Sequence, residues 1–353
     1  MRVDRRAFLL AATAAAACAG RAERGPLGRA AQYLWAQQAA DGGFHSATYG
    51  LLRSGQSLTP LVLGALLRVP DATLPSPAGA VDRALAFIRT HTHTDGALGR
   101  TGDADDYPNY ATALAVHAMV TARRGAWARD IAPMVAQLRA QQFSETNGWA
   151  PDQAPYGGWG MGGPIRRPPD AGHVDLSMTR IVLEALHASG VPGSDPAMIR
   201  ARVFLDRSRN QDGGFFFSPV TPALNKAGQA AGRFVSYGTA TADGLLALRA
   251  TRVPDSDGRI ASAVAWLTRH HQPDRVPGFG ESESPHGSWS TGLFFYYAAA
   301  LSRALPHQSV QLPEQRKDGS FRNDNGRVKE DDPLIATAFA IHVLTSPRSG
   351  QTA

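Results

Sequence analysis

The chain has 353 residues, 43% of them hydrophobic, which is enough for a sizeable buried core in one large domain or two ordinary ones. Its formal net charge is +6, and arginine supplies nearly all of the positive charge because Lys226, Lys317 and Lys329 are the only lysines. The basic residues are scattered among acids in runs no longer than an Arg-Arg pair, so we expect no nucleic-acid partner.

Residues 1–20 predict an export signal. Arg5-Arg6 precedes Phe8 and an alanine-rich apolar stretch, a pattern typical of the twin-arginine route. Cys18, the only cysteine, ends that stretch and leaves the chain without an intrachain disulfide or a multi-cysteine zinc site. Two interpretations of Cys18 stay open: lipid attachment, the one route to membrane association that we expect, and cleavage of the signal nearby. We expect a periplasmic or envelope-associated protein.

Six short segments then recur along the chain, each carrying a glycine and an aromatic residue or leucine at its end. They span residues 33–44, 87–98, 137–149, 204–215, 266–279 and 312–321. Each precedes an apolar helical stretch that carries a threonine at an equivalent position: Thr59, Thr112, Thr179, Thr241, Thr291 and Thr337. A glycine after an outer helix supplies the positive φ that ends it. The repeated unit is therefore predicted to be helix, turn, helix.

The second helices share an apolar stripe seven positions after the threonine. It consists of Leu66, Met119, Leu186, Leu248, Ala298 and Leu344, two helical turns on and on the same face, which indicates core packing. The small residues of these helices favour closure around an axis over an open solenoid. We therefore predict an all-α fold, an (α/α)6 toroid of six helix pairs forming one domain over residues 26–347, followed by a disordered tail at 348–353.

Specific residues of the segments follow a pattern. Tyr33-Leu34, Gln38, Gly42 and Phe44 occur in the first, Phe204-Leu205, Arg209, Gly213 and Phe215 in the fourth, and Gln315, Gly319 and Phe321 in the sixth. This pattern resembles the QW repeats of the terpenoid cyclase and protein prenyltransferase superfamily, with Phe in place of Trp. More narrowly, the chain resembles exported bacterial proteins with prenyltransferase and squalene cyclase repeats. The resemblance implies an α/α toroid, a ring that serves enzymes and binding proteins alike, so activity must be argued from the site.

The string Asp103-Ala104-Asp105-Asp106 makes its three aspartates candidate catalytic acids. The resemblance implies this role, because an Asp-x-Asp-Asp string is the proton donor of class II terpene cyclases. There the string runs directly into a Thr-Ala that opens an inner helix, whereas here Asp105 lies seven residues before Thr112 and Pro108 interrupts the helix. This difference in register favours a structural role for the string.

The sixth repeat supports the structural interpretation of that string. Asp331-Asp332 precedes Thr337 much as Asp105-Asp106 precedes Thr112, and a recurring acid suits hydrogen bonding near helix N-termini. The zinc chemistry implied by the prenyltransferase resemblance needs a cysteine, and none follows Cys18. We therefore expect no metal and no cofactor.

Five positions after each threonine lies a partly polar belt. Its members are Gly64, His117, Glu184, Leu246, Tyr296 and His342. At one depth in a toroid, His117 could act in acid–base catalysis, and Glu184, Tyr296 and His342 could bind a ligand. Five positions correspond to about 140° around a helix, so the alternative of hydrogen bonding between neighbouring inner helices is favoured. Asp243 in the fourth inner helix is costly if buried and is a further candidate for a catalytic acid in the cavity.

Two loops add candidate ligand-binding residues at the mouth of a cavity. Trp159 and His173 lie in the loop 156–175, and Trp289 ends the loop 278–290, which also holds Glu281 and Glu283. Three functions stay open: an exported toroid that binds or processes a lipid or isoprenoid-like ligand, a non-catalytic envelope protein that recognises peptide or glycan with these loops, and a carbohydrate-active enzyme that uses the loop glutamates.

Overall fold

The computed structural model describes residues 24–102, 104–280 and 288–347. Within them lie α1 (Pro26–Ala36), α2 (Leu58–Leu66), α3 (Ala80–His91), α4 (Pro108–Ala122), α5 (Ala128–Ala140), α6 (Leu176–Ala188), α7 (Pro196–Arg207), α8 (Gly238–Ala250), α9 (Gly258–Arg269), α10 (Trp289–Gly292), α11 (Phe294–Ala304) and α12 (Pro333–Leu344). Two short antiparallel pairs join β1 (Trp159–Gly160) to β2 (Val174–Asp175) and β3 (Gln229–Ala230) to β4 (Arg233–Phe234). The predicted export signal, Asp103, Glu281, Glu283 and the predicted tail lie outside the described residues.

Six helices form a closed inner ring. The helices α2, α4, α6, α8, α11 and α12 each contact the next, and α12 contacts α2 again. The helices α1, α3, α5, α7 and α9 lie outside the ring and turn their apolar faces towards it. The predicted all-α toroid is confirmed. No helix in the described ranges combines the length and apolar character needed to cross a membrane.

The sixth outer position differs from the prediction. Residues 312–321, expected to begin with a helix, contain extended chain and a turn, since Pro313 removes a backbone donor and disfavours helical geometry in the residue before it. Gln315 nevertheless holds this segment to the first repeat: its Nε2 donates to the carbonyl oxygens of Pro26 at 2.9 Å and Gly319 at 2.7 Å. An extended segment therefore closes the outer layer.

Glutamine and glycine at the turns connect neighbouring repeats. Gln38 Nε2 donates to the carbonyl oxygens of Gly42 at 3.0 Å and of Ala80, the first residue of α3, at 2.9 Å. Gln142 makes the equivalent pair of bonds two interfaces further on, between the third and fourth repeats. Gly42 has φ +91°, and a Cβ there would lie 2.4 Å from the carbonyl oxygen of Arg83. Only glycine allows this contact between a turn and the next outer helix.

The repeated threonine fixes the height of each inner helix. In five repeats its Oγ1 accepts a hydrogen bond of 2.9–3.0 Å from a buried backbone N–H that follows the turn: Phe44 to Thr59, Leu98 to Thr112, Trp159 to Thr179, Phe215 to Thr241 and Phe321 to Thr337. A buried N–H without an acceptor is costly, which gives the hydroxyl a structural role. Equivalent positions on the inner helices consequently lie at similar depths along the ring axis.

Candidate functional site: two chambers on the ring axis

Two chambers lie inside the ring of inner helices. The large chamber, about 430 Å³, is lined by residues from the first turns of these helices, including Leu58, Ser177 and Thr239. The small chamber, about 70 Å³, lies further along the same helices. The side chains of Leu61, Tyr110, Ile181, Tyr296 and Phe339 line both chambers. These five residues form the partition between the two spaces.

The large chamber has a mainly apolar wall. Aliphatic and aromatic side chains supply most of it, namely Leu52, Leu58, Leu61, Tyr107, Tyr110, Met161, Met178, Ile181, Phe217, Leu224, Tyr237, Leu293, Tyr296, Val328, Ile335 and Phe339. Its charged lining consists of Asp175, Lys226, Arg327, Lys329 and Glu330, with His173 beside them. A concave apolar space with a few grouped polar residues is the usual form of a small-molecule site.

The two carboxylates that line the large chamber already have hydrogen-bond donors. Asp175 caps α6 by accepting from the backbone N–H of Met178 at 2.7 Å, and its other oxygen lies 2.6 Å from His173 Nε2. Glu330 accepts from the backbone N–H groups of Phe295 at 2.9 Å and Tyr296 at 2.8 Å. Both acids thus hold helix ends in place.

Glu330 is buried against the start of α11. Asn323 Nδ2 donates to its carboxylate at 2.9 Å, in addition to the two backbone donors. Burial raises the pKa of Glu330 to about 7, and these hydrogen bonds only partly oppose the effect. The side chain is therefore a weakly acidic group at neutral pH.

A buried polar cluster lies at the partition. Asp243, fully buried in α8, accepts hydrogen bonds from Ser177 Oγ at 2.5 Å, Arg180 Nε at 3.0 Å and Tyr296 Oη at 3.1 Å. Burial raises the pKa of Asp243, while Arg180 and the two hydroxyl donors act in the opposite direction. Asp243 lines neither chamber, but all three of its partners line at least one. The cluster therefore places Asp243 behind the wall, where it positions Arg180 and Tyr296.

Arg180 connects this cluster to a second carboxylate. Its Nη1 donates to Glu184 at 2.7 Å, its Nη2 donates to Tyr296 Oη at 2.7 Å, and Arg303 Nη2 donates to Glu184 at 2.6 Å. Burial would raise the pKa of Glu184, but Arg303 and Arg180 outweigh it and lower that pKa to about 2. Glu184 is therefore an ionised carboxylate that joins α6 to α11.

Five of the six residues in the polar belt predicted from the sequence lie around the small chamber. Gly64, His117, Glu184, Tyr296 and His342 all line the small chamber. Glu184 and Tyr296 also form hydrogen bonds between inner helices, which is the alternative that the sequence favoured, and their role in ligand binding stays a prediction. Burial and the nearby Arg303 and Arg68 lower the pKa of both histidines. His117 and His342 therefore present neutral imidazoles at neutral pH.

The two described aspartates before α4, Asp105 and Asp106, are not part of the lining of either chamber. Asp106 is fully buried and accepts hydrogen bonds from Ser54 Oγ at 2.5 Å, Ser57 Oγ at 2.5 Å and Ser57 N at 3.1 Å. Asp105 is exposed, and Asp103 lies outside the described residues. Neither Asp105 nor Asp106 lines a chamber. In this arrangement Asp106 ties the loop before α4 to the start of α2.

The three loop residues predicted to bind a ligand have different surroundings. Trp159 is fully buried, and its Nε1 donates to the carbonyl oxygen of Leu138 at 2.6 Å, so it belongs to the core and not to a ligand surface. His173 lines the large chamber. Trp289 is half-buried, with its ring 5.5 Å from Lys226 Nζ and 4.8 Å from the Arg327 guanidinium carbon.

Sequence reasoning missed Arg180, Lys226 and Arg327. Arg180 follows the repeat threonine directly, where the other five repeats carry Pro60, Ala113, Ala242, Gly292 and Ala338. A charged residue at a position that holds small, uncharged residues in the other repeats indicates a buried polar role, and the sequence alone shows this signal. Lys226 and Arg327 lie in irregular segments, and no sequence pattern places them beside one chamber.

The described part of the chain has no group of three or more His, Cys, Asp or Glu side chains arranged to hold a metal ion. His173 and Asp175 form a pair, and Asp243 interacts with hydroxyls and a guanidinium. His173, Asp175 and Asp243 are thus used in hydrogen bonds within the protein.

No protein-family model and no curated protein sequence matches this chain. Solved structures do resemble it. The type II terpene cyclase MstE from Scytonema has a TM-score of 0.53 and 14% identity over 91% of this chain and 96% of its own. An unsaturated glucuronyl hydrolase specific for heparin has a TM-score of 0.54 and 11% identity over 90% of this chain and 96% of its own.

A glycoside hydrolase family 76 mannosidase, Bt3792 from Bacteroides thetaiotaomicron, also has a TM-score of 0.54, with 10% identity over 91% of this chain and 99% of its own. At such identities the likeness shows the fold alone. The chain therefore has the α/α-toroid fold found in terpene cyclases and in glycoside hydrolases, and its function must be argued from the two chambers.

Proposed function

We propose that this protein binds the hydrocarbon part of an isoprenoid-like or other lipid molecule in the large chamber. The observation that carries the proposal is the mainly apolar lining of a 430 Å³ space on the ring axis. This volume falls within the roughly 300–1,000 Å³ typical of small-molecule sites. Transfer of a hydrocarbon chain from water to this wall supplies the driving force for binding.

A ligand of this kind has a precedent in the same ring. A single-residue variant of MstE has been solved in complex with geranylgeranyl dihydroxybenzoate, its substrate, and this chain shares the fold with a TM-score of 0.53. A glycan is the less suitable ligand, because the two chamber carboxylates, Asp175 and Glu330, are held by helix ends and the rest of the wall is mainly apolar.

We propose that the protein binds this ligand, and we assign no chemical reaction to it. A catalytic acid must reach its substrate, and neither Asp105, Asp106 nor Asp243 lines the large chamber. Tyr296 lines the chamber, but Arg180 and Asp243 hold its hydroxyl, and the two carboxylates of the lining, Asp175 and Glu330, are held by helix ends.

Equilibrium dialysis of radiolabelled farnesol with the purified protein tests the proposal. We expect Met161→Asp, which places a charge on the large-chamber wall, to weaken binding by about tenfold or more. Ile165→Asp is the matched control: Ile165 belongs to the same loop, is 45% exposed and lines neither chamber, so binding should persist. Farnesol that fails to bind, or that binds equally to the Met161 variant, would refute the proposal.

Native mass spectrometry of the protein isolated from its host complements this assay. A co-purifying lipid or isoprenoid would support the large-chamber function. A retained peptide or glycan that Met161→Asp does not release would instead support recognition by the loops outside the chamber.

We further propose that the protein acts in the cell envelope. The support is Arg5-Arg6 and the apolar stretch that ends at Cys18, residues outside the described part of the chain. Replacing both arginines by lysine should retain the protein in the cytoplasmic fraction, whereas unchanged fractionation would remove the twin-arginine assignment.

A further inference from the structure

The charges around the large chamber are not balanced among the described residues. Lys226, Arg327 and Lys329 line it, and within residues 24–102, 104–280 and 288–347 none of them has a carboxylate oxygen within 4 Å. The chamber's own acids, Asp175 and Glu330, accept hydrogen bonds from other groups. Among the described residues, this side of the chamber therefore carries excess positive charge.

Two of the cations are close to the same ring. Lys226 Nζ lies 5.5 Å from the centre of the Trp289 ring and 3.6 Å from that of Phe217, and the Arg327 guanidinium carbon lies 4.8 Å from Trp289. Aromatic faces favour a cation, but like charges grouped beside a low-dielectric wall repel each other. An anion placed next to both would offset that repulsion.

Among these three cations, Lys226 is the one that a nearby anion would stabilise most. It is half-buried, and burial lowers its pKa, while Asp175 and Asp243 oppose this effect from beyond ion-pair distance. Lys329 is less available, because its Nζ donates to Tyr107 Oη at 3.1 Å. Lys226 and Arg327 are therefore the principal candidates, and Lys329 extends the positive surface.

We propose that the ligand is an acidic amphiphile, with its hydrocarbon chain in the large chamber and a carboxylate or phosphate head group held by Lys226 and Arg327. This inference rests on the proposed function, because it assigns a head group to the ligand of the same chamber. An apolar wall next to unpaired cations matches the two parts of such a molecule.

The test compares three ligands that share one chain: farnesol, farnesoic acid and farnesyl monophosphate. We expect wild-type protein to bind at least one of the two anionic ligands about tenfold or more tightly than farnesol, with the preference falling as salt rises. The double substitution Lys226→Gln with Arg327→Gln should remove the preference, because the affinity for the anionic ligands should fall to that for farnesol. Lys317→Gln, at an exposed lysine outside the chamber lining, should retain it.

The outcomes separate the two proposals. Absence of farnesol binding to wild-type protein refutes the proposed function, whereas equal binding of all three ligands refutes only the acidic head group. Preference that survives in the double variant, with an unchanged melting temperature to show that it folds, also refutes the role of Lys226 and Arg327. Tighter binding of the phosphate than the carboxylate supports a phosphorylated prenyl ligand, and the reverse supports an isoprenoid or fatty acid.

Discussion

Each chamber is lined by one glutamate, and the pKa values of the two move in opposite directions. Glu330 in the large chamber has backbone and amide donors but forms no ion pair with a described residue, and burial raises its pKa to about 7. Glu184 in the small chamber is held by Arg180 and Arg303, which lower its pKa to about 2 in spite of burial. At pH 7 the same side chain is thus partly protonated in one chamber and ionised in the other.

This difference separates the roles of the chambers. Among apolar side chains, the lining of the small chamber includes three arginines, Glu184 and two neutral histidines, and the pair of Arg303 with Glu184 joins α11 to α6. The large chamber keeps an apolar wall, and three of its charged side chains lack ionic partners among the described residues. We interpret the small chamber as part of the scaffold and the large one as the ligand space.

The largest expected effect comes from the partition. Arg180→Met leaves the Asp243 and Glu184 carboxylates buried without a shared cation, so we expect the free energy of unfolding to fall by about 3–5 kcal/mol. Urea denaturation measures this change. The control is Arg166→Met, which breaks an exposed pair with Asp170 and should cost below about 1 kcal/mol. Equal costs for the two variants would contradict a structural role for the partition.

The raised pKa of Glu330 predicts a pH dependence of stability. The folded protein retains a proton that the unfolded chain releases above pH 4.5, so this contribution is present below pH 4.5 and lost as pH rises through about 7. Its size is about 3 kcal/mol. Denaturation at several pH values should show a smaller loss of stability with rising pH in Glu330→Gln than in wild type. The exposed Glu314→Gln should keep the wild-type slope, and a Glu330 variant that also keeps it would contradict the assignment.

The smallest effect concerns filling of the small chamber. Gly64 lies in α2, and a Cβ there would have no atom within 4 Å, so Gly64→Ala should stabilise the protein by about 0.5–1 kcal/mol. Farnesol binding should stay unchanged if the large chamber is the ligand space. Gly244→Ala in α8 is the matched contrast: its Cβ would lie 2.5 Å from the Phe215 ring, and we expect it to cost about 1–3 kcal/mol. Weaker farnesol binding in Gly64→Ala would assign ligand contact to the small chamber.

The sequence by itself determined the toroid and its register, because the signals that carry them are local and repeated. Gln38, Gly42 and Thr59 each act at a turn or at the end of a helix, and their equivalents recur in other repeats. The same register predicted the belt that includes His117 and His342. It did not predict that residues 312–321 form no outer helix, although Pro313 disfavours a helix there.

Only the tertiary structure decided which residues form the site. Ser177, Arg180, Asp243 and Tyr296 meet across three inner helices, and Asp243 is separated from Arg180 by 63 positions in the sequence. Lys226 and Arg327 reach one chamber from irregular segments that follow no helical period. Such distant residues come together because the ring closes, and closure depends on packing between repeats. The repeats themselves depend on turn and helix preferences within each segment, which the sequence shows directly.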